Sequence, residues 1–213
     1  MPLAVIFDMD GVIVDSEHIH HELEQQMFEQ LGIVVTPAEH QSFTGQTVQT
    51  MWGALKERHN LPQTVEELRA IKRRLFFAEL DSPDCRVMLV DGAERFIRQC
   101  REAGFKMAVA SSSFTEHVEL MIGRFGLKSW FDGLFGGDFV QHSKPEPDLF
   151  LYAAAQLGVD PSDCVVIEDS ANGVLAARRA GMYVIGFRNP NSGDQDLSLA
   201  DKIVSSFAEI ELR

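Results

Sequence analysis

Short apolar runs and helical patterns alternate along most of this chain, and no other feature constrains the fold as tightly. Four runs, bounded by polar residues or glycine, predict buried strands at residues 4–7, 107–110, 165–167 and 184–187. Helical patterns at residues 93–103, 116–125, 148–157 and 172–180 separate the later runs, and a glycine follows each pattern as a left-handed helix cap would. Strand–helix–strand repetition favours parallel pairing, so we predict an α/β protein with a doubly wound parallel sheet.

Residues 17–84 interrupt this alternation. They contain no convincing strand, and helical patterns cover residues 18–31, 47–59 and 65–80. A helical segment inserted after the first strand predicts a small cap domain at residues 16–85, beside a core domain made of residues 1–15 and 86–213. The alternative is that these helices pack permanently on the sheet.

Composition limits the kinds of partner that this chain can have. The 213 residues carry 19 Lys and Arg against 32 Asp and Glu, a net charge of −13, which argues against nucleic acid and anionic membranes. No window approaches a membrane span, and the apolar run at residues 3–7 lacks the basic flank of a signal peptide. Cys85, Cys100 and Cys164 are scattered, as reduced thiols in a cytoplasmic protein would be. We expect a cytoplasmic monomer that binds a small molecule.

Two aspartates follow the first predicted strand directly. Asp8 and Asp10 are one residue apart, at the carboxyl end of a strand, where open α/β sheets bind ligands. Like charges this close repel each other unless a cation or a proton intervenes. Mg²⁺, which prefers oxygen ligands, is the expected cation.

Polar groups also follow or precede the other predicted elements. Ser111–Ser113 follow the second strand, Lys144 precedes a helix, and Glu168 and Asp169 follow the third strand. In a doubly wound sheet these ends meet at one edge. One aspartate can attack phosphorus while the other transfers protons, and serine and lysine can hold phosphate oxygens. Taken singly, each motif is more simply explained as a turn, a helix cap or a solvated strand end.

The order of these motifs resembles the haloacid dehalogenase (HAD) superfamily, in its branch of β-phosphoglucomutase-like phosphatases and phosphomutases. The segments that carry the resemblance are Asp10-Gly11-Val12-Ile13-Val14-Asp15-Ser16-Glu17, Ser143-Lys144-Pro145-Glu146-Pro147-Asp148-Leu149-Phe150 and Ile167-Glu168-Asp169-Ser170-Ala171-Asn172-Gly173. The resemblance covers essentially the whole chain. It implies a Rossmann-like core with a helical cap inserted after the first strand.

The resemblance also implies roles for the site residues. Asp8 is the nucleophile, and Asp10 is the general acid and base. The implied phosphate ligands are Ser111, Ser112 and Lys144, and the implied Mg²⁺ ligands are Asp8, Asp10, Glu168 and Asp169, with Glu168 acting directly or through water. Asp10 together with Glu168 and Asp169 favours phosphoryl transfer over dehalogenation.

The acceptor of the phosphoryl group is a separate question. Sugar mutases of this branch carry a Trp four residues after the cap histidine and an Arg three residues after a cap glycine. Glu24 and Val48 occupy those places here, which favours a phosphatase over a hexose-phosphate mutase. The mutase stays an alternative, because Lys72, Arg73 or Arg74 could supply a cation, although a solvated helix face is the simpler interpretation of these three. A non-catalytic phosphometabolite-binding protein is a remote alternative, since the catalytic set is complete.

Cap residues are expected to select the substrate, which we expect to be a sugar or polyol phosphate. The candidates are Ser16, His20, Gly45, Gln46 and Ser113. Ser16 and His20 share a helix face, so His20 is expected either to bond Asp10 or the substrate, or to lie on the cap surface. His18 and His21 are expected to face solvent. Trp52, Phe76 and Phe77 are expected in the cap interior, and residues 188–193 in a flexible loop.

Overall fold

The computed structural model describes residues 2–43, 46–80, 82 and 85–211. The strands are β1 (Ala4–Phe7), β2 (Val14–Asp15), β3 (Met88–Leu89), β4 (Lys106–Ala110), β5 (Gly133–Phe135), β6 (Cys164–Glu168), β7 (Tyr183–Phe187) and β8 (Lys202–Val204). The helices are α1 (Glu17–Leu31), α2 (Pro37–Gln41), α3 (Val48–His59), α4 (Val65–Leu80), α5 (Ala93–Glu102), α6 (Thr115–Arg124), α7 (Asp148–Leu157) and α8 (Ala171–Arg179).

Six strands form one parallel sheet in the order β5-β4-β1-β6-β7-β8. The strand order runs outward from β1 in both directions, toward β4 and β5 on one side and toward β6, β7 and β8 on the other. Sheets of this kind bind ligands at the point where the order reverses, outside the carboxyl ends of the strands. The predicted α/β fold class is therefore confirmed, and the reversal point lies where Asp8 follows β1.

The sheet is wider than the sequence predicts. Strands β5 and β8 were not anticipated; each has three residues and lies at an edge of the sheet. Strands this short carry too few residues for a distinct apolar pattern, and Lys202 and Ile203 of β8 are exposed. A separate antiparallel pair, β2 with β3, joins the chain segments on either side of helices α1–α4.

Strand β1 is an unbroken apolar run because both of its faces are buried. Val5 and Phe7 belong to a hydrophobic cluster that includes residues of α5 and α6, whereas Ala4 and Ile6 belong to a second cluster with residues of α7 and α8. All four side chains have no exposed surface. The sheet therefore lies between two helical layers. Its polar residues follow the carboxyl ends of the strands, at the edge that neither layer covers.

Helices α1–α4 enclose a third hydrophobic cluster. Trp52 is fully buried there with Phe28, Leu55 and Leu68, so its predicted interior position is confirmed. Helix α2 was not predicted, because a helix of five residues shows no apolar periodicity; the Thr36 hydroxyl caps it by accepting from the Glu39 N–H at 3.2 Å. This separate cluster supports the proposal that residues 16–85 form a cap domain beside a core of residues 1–15 and 86–213.

The cysteines and the lengths of the helices can be stated for the described residues. Cys85, Cys100 and Cys164 are free thiols. No described helix is both long enough and apolar enough to cross a membrane.

Candidate active site

A cavity lies at the carboxyl ends of β1, β4 and β6, and cap helices cover its other side. We call it the active-site cavity. Its core wall is formed by Asp8, Asp10, Ser111, Ser112, Ser113, Asp169 and Ser170. Its cap wall is formed by His20, His21, Glu24, His40, Phe43, Gln46, Thr47, Val48, Met51 and Lys72. The structure thus brings together the predicted strand-end residues and most of the predicted cap residues; Gly45 lies outside the described residues.

Lys144 is a buried cation at the base of the site. Its Nζ donates to Asp8 Oδ1 at 2.5 Å, to Glu168 Oε1 at 2.8 Å and to the Ala110 carbonyl at 3.2 Å. These acceptors lie at the ends of β1, β6 and β4, so one ammonium group links the ends of the three central strands. The Lys144 side chain has no exposed surface, and a cation buried this deeply requires such partners.

Glu168 lies behind Lys144 and is 1% exposed. Its second carboxylate oxygen, Oε2, accepts from the Ser170 N–H at 2.8 Å and from the Ser170 hydroxyl at 2.9 Å. Both oxygens of Glu168 are therefore engaged by protein donors. Its contacts fix the position of Lys144 and of the first turn of α8, where the Ser170 hydroxyl also caps the Gly173 N–H.

Negative charge dominates around Asp8. Burial raises the pKa of Asp8, the Lys144 ammonium opposes that rise, and the charges of Glu168 and Asp10 add to it. Burial alone would lower the pKa of Lys144, but the carboxylates of Asp8 and Glu168 raise it above its usual value. Lys144 is therefore charged, and additional positive charge beside Asp8 would favour its ionised form.

Asp10 has a different environment from Asp8. Its Oδ1 accepts from the Ser16 hydroxyl at 2.5 Å and lies 3.3 Å from His20 Nε2, while its Oδ2 accepts from Ser111 at 3.3 Å and from Ser113 at 3.1 Å. Burial opposes ionisation, but the hydrogen bond and charge of His20 and the Ser16 hydroxyl hold the pKa of Asp10 below its usual range. Of the two expectations for His20, the structure supports contact with Asp10. Its ring also stacks on Phe76 at 4.7 Å.

A loop that the sequence analysis expected to be flexible contributes to the site. The Ser192 hydroxyl donates to Asp169 Oδ2, and Asn189 Nδ2 donates to the Gly11 carbonyl at 2.8 Å. Pro190–Ser192 form a 3₁₀ turn, and both Asn189 and Ser192 are buried. Local sequence gave no indication of these contacts, because they join residues that are distant in the chain.

Gly11 packs against the same carboxylate. Its φ is +82°, and a Cβ at this position would lie 1.8 Å from Asp169 Oδ2 and 2.7 Å from the Ser192 hydroxyl. Only glycine fits both the left-handed backbone and this close approach. The glycine in the turn after Asp10 is therefore explained by the position of Asp169.

The carboxylates on the core wall of the active-site cavity suit a hard divalent cation. Asp8 and Asp169 are 6% and 4% exposed and line the same cavity as Asp10. Four carboxylates, those of Asp8, Asp10, Asp169 and Glu168, surround the single ammonium group of Lys144. The pKa of Asp8 is raised mainly by burial, and the charges of Glu168 and Asp10 add to that rise. Carboxylate and carbonyl oxygens are typical ligands of Mg²⁺, so these residues fit that ion.

A second group of potential ligands lies nearby. Donor atoms of Asp10, His20 and His117 lie within 4.8 Å of one another. Two imidazoles and one carboxylate suit zinc better than magnesium. This cluster shares Asp10 with the all-oxygen set, and it places His117, which the sequence analysis did not single out, beside Asp10.

The cap wall corrects two expectations. Lys72 was expected on a solvated helix face, but it is 8% exposed and its Nζ donates to Glu24 Oε1. Glu24 Oε2 is also bonded to His40 Nε2. His21 was expected to face solvent, but it stacks on His40 at 4.5 Å and lines the cavity. Helical periodicity does not reveal these contacts, because each requires a partner on another helix.

Comparison with known proteins gives consistent matches. A family model described as haloacid dehalogenase-like hydrolase matches residues 2–181. The chain is 33% identical to hexitol phosphatase B of Escherichia coli (strain K12) over 214 residues, which cover 98% of this chain and 94% of that protein. It is 31% identical to fructose-1-phosphate phosphatase YqaB of the same strain, over 87% of this chain and 96% of that protein.

The fold is also similar to that of solved structures. CbbY from Rhodobacter sphaeroides, in complex with phosphate, superimposes with a TM-score of 0.85 at 28% identity, covering 98% of this chain and 96% of that chain. A variant of CbbY has been solved with xylulose-1,5-bisphosphate, at 27% identity and the same TM-score. The similarity therefore spans both the cap and the core.

Proposed function

The chain belongs to the haloacid dehalogenase-like hydrolase family, and we propose that it is a Mg²⁺-dependent phosphatase that hydrolyses a small phosphorylated metabolite through an aspartyl phosphate. A sugar or polyol phosphate is the proposed substrate class. The names of the relatives, a hexitol phosphatase and a fructose-1-phosphate phosphatase, support that class.

One observation carries the proposal. Asp8 and Asp10 line the same cavity from the end of one strand, but their partners differ: Asp8 is bonded to the buried Lys144, and Asp10 to hydroxyl groups and His20. Two carboxylates in different environments are suited to two different tasks. Phosphoryl transfer requires one attacking oxygen and one proton carrier, and little further covalent chemistry.

In the first proposed half-reaction, an Asp8 carboxylate oxygen attacks phosphorus. The ester P–O bond breaks, and Asp10 protonates the leaving oxygen. Its hydrogen bonds hold the pKa of Asp10 low, and a phosphomonoester monoanion can supply the proton that Asp10 passes to the leaving oxygen. Lys144, buried beneath Asp8, supplies a fixed positive charge at the base of the site, while Ser111 and Ser112 line the cavity as hydroxyl donors.

In the second half-reaction, Asp10 takes a proton from water as that water attacks phosphorus. The bond from phosphorus to Asp8 breaks, and inorganic phosphate leaves. We assign the Mg²⁺ ligands to Asp8, Asp169 and the Asp10 backbone, with Glu168 acting through Lys144. When bound, the cation supplies positive charge to the phosphoryl oxygens and keeps Asp8 ionised.

The hexose-phosphate mutase remains the alternative function, and phosphate release distinguishes the two. With Mg²⁺, the purified protein is expected to release phosphate from p-nitrophenyl phosphate and from glucitol 6-phosphate. Addition of a chelator, or the substitution Asp8→Asn, is expected to abolish this activity. Isomerisation of β-glucose 1-phosphate without phosphate release would favour the mutase. The absence of any turnover across a broad panel of phosphate esters would refute the proposed function.

A further inference from the structure

The cap wall contains a buried charged cluster that the proposed reaction does not use. Glu24 of α1 accepts from Lys72 of α4 through one carboxylate oxygen and is bonded to His40 of α2 through the other. The three residues are 6%, 8% and 4% exposed, and all three line the active-site cavity. We call them the Glu24–Lys72–His40 cluster. It lies on the opposite wall from Asp8, where the part of a substrate farthest from the transferred phosphoryl group would rest.

The cluster leaves the cap wall without an unmatched cation. Among the described residues that line the active-site cavity, Lys72 is the sole lysine or arginine, and Glu24 neutralises it. Arg69 and Arg73 line an adjoining cavity and already pair with carboxylates: Arg69 with Glu66 at 2.9 Å, and Arg73 with Glu116. A second phosphate on the substrate would therefore meet the Glu24 carboxylate and a lysine whose charge Glu24 already neutralises.

Glu24 is ionised at neutral pH. Burial favours the neutral acid, but the charge of Lys72 and the hydrogen bonds from His40 and Lys72 hold the pKa of Glu24 well below its usual range. The Lys72 ammonium has three protons, and Glu24 accepts one of them. The other two N–H groups of Lys72 can donate to hydroxyl groups of a substrate, and the second lone pairs on the Glu24 oxygens can accept from them.

We propose that the Glu24–Lys72–His40 cluster selects monophosphates whose far end is a neutral, hydroxyl-bearing chain or ring, and that it rejects bisphosphates. The proposal rests on the proposed function, since it assumes that the transferred phosphoryl group lies against Asp8. A related fold holds a bisphosphate in CbbY, so the backbone alone does not decide this selectivity. The side chains of the cap wall decide it here, because a site built from polar groups strongly disfavours a partner that does not satisfy them.

The first arm of the test uses the unmodified protein. Initial rates of phosphate release with Mg²⁺ give kcat/KM for glucitol 6-phosphate and for glucitol 1,6-bisphosphate, which differ only in the second phosphate. We expect the monophosphate to be preferred at least about tenfold, because a second phosphate would lose water to a wall that offers it no unmatched positive charge. Equal or greater efficiency with the bisphosphate overturns the proposal without any variant being needed.

The second arm changes the charge of the cluster while keeping its shape. Glu24→Gln leaves Lys72 with an unmatched charge and is expected to shift the ratio of kcat/KM values toward the bisphosphate by roughly 10- to 100-fold. Lys72→Gln is the matched control of opposite sign and should shift the ratio toward the monophosphate. The double variant, Glu24→Gln with Lys72→Gln, restores the neutral charge and should return the ratio close to that of the unmodified protein.

The outcomes separate this inference from the proposed function. Turnover of p-nitrophenyl phosphate with Mg²⁺, combined with a ratio that is the same in all four proteins, overturns the role of the cluster and leaves the phosphatase intact. No release from any of the three substrates overturns both. The quantity compared between proteins is the ratio of kcat/KM for the bisphosphate to kcat/KM for the monophosphate, so a general loss of activity does not affect the result. Thermal unfolding verifies that each variant is folded.

Discussion

A single methyl group added at Gly173 tests how the buried carboxylate of Glu168 supports the site. Gly173 lies in helix α8, and a Cβ at this position would lie 1.7 Å from Glu168 Oε1 and 2.4 Å from Oε2. Normal contact requires at least about 3 Å, so the carboxylate must move by more than 1 Å. That movement breaks the hydrogen bond from Lys144 to Oε1 and at least one of the two from Ser170 to Oε2.

The size of the effect follows from these contacts. Hydrogen bonds to a charged group contribute about 1.5–3 kcal/mol each, so the loss of two of them costs about 3–6 kcal/mol. Alanine is a better helix former than glycine by about 1 kcal/mol, which offsets part of the cost. We therefore expect Gly173→Ala to lower the free energy of unfolding by about 2–5 kcal/mol.

The assay is urea unfolding of the unmodified protein, Gly173→Ala and Gly123→Ala. Gly123 is the matched control: it is also helical, is exposed, and its added Cβ would have no heavy atom within 4 Å. Gly123→Ala should raise the free energy of unfolding by up to about 1 kcal/mol. Phosphatase activity of Gly173→Ala should fall at least about 100-fold, because Lys144 loses its second carboxylate. If Gly173→Ala proved as stable as Gly123→Ala, the reasoning would be refuted.

Three other predictions concern proton transfer, metal affinity and acid stability. Asp10→Asn should reduce kcat/KM for glucitol 6-phosphate by about 10²- to 10⁴-fold and for p-nitrophenyl phosphate by less, because nitrophenolate leaves without a proton; equal losses in steady-state assays would contradict the assignment of Asp10. Ser192→Ala removes the hydroxyl that donates to Asp169, so the Mg²⁺ concentration for half-maximal activity should rise about 10-fold, as measured by metal titration, whereas an unchanged titration would exclude this support. The pKa of Glu24 is lowered from 4.5, so its stabilisation is present above about pH 4.5 and is lost as pH falls below that value. Urea unfolding should therefore show Glu24→Gln to be less stable than the unmodified protein by about 2–3 kcal/mol at pH 7 and by less at pH 4; a difference that grows in acid would contradict the ionised state of Glu24.

The central sheet could be predicted because its strands are buried on both faces. Strands β1, β4, β6 and β7 agree with the predicted runs to within one residue at each end. Their carboxyl ends converge as doubly wound topology requires, which brings Asp8, Ser111 and Asp169 to one cavity. Edge strands β5 and β8 escaped prediction, since three residues do not establish a pattern.

Contacts between distant segments could not be predicted. The pairing of Glu24 with Lys72 spans 48 residues, and that of Ser192 with Asp169 joins a loop to a strand end. Each residue alone has an ordinary interpretation on a polar surface or in a turn. The charge of Lys72 was foreseen as relevant to the substrate, but its neutralisation by Glu24 follows only from the packing of α1 against α4.

The most direct test of the account is the covalent state of Asp8 during turnover. The protein is mixed with Mg²⁺ and p-nitrophenyl phosphate, quenched in acid at short times, digested with pepsin and analysed by mass spectrometry. We predict a phosphoryl group on Asp8 of the unmodified protein, at higher occupancy in Asp10→Asn because hydrolysis of the intermediate is slowed, and none in Asp8→Asn. Steady phosphate release from a protein whose Asp8 is unmodified at every quench time, or retained turnover in Asp8→Asn, would contradict the proposed reaction.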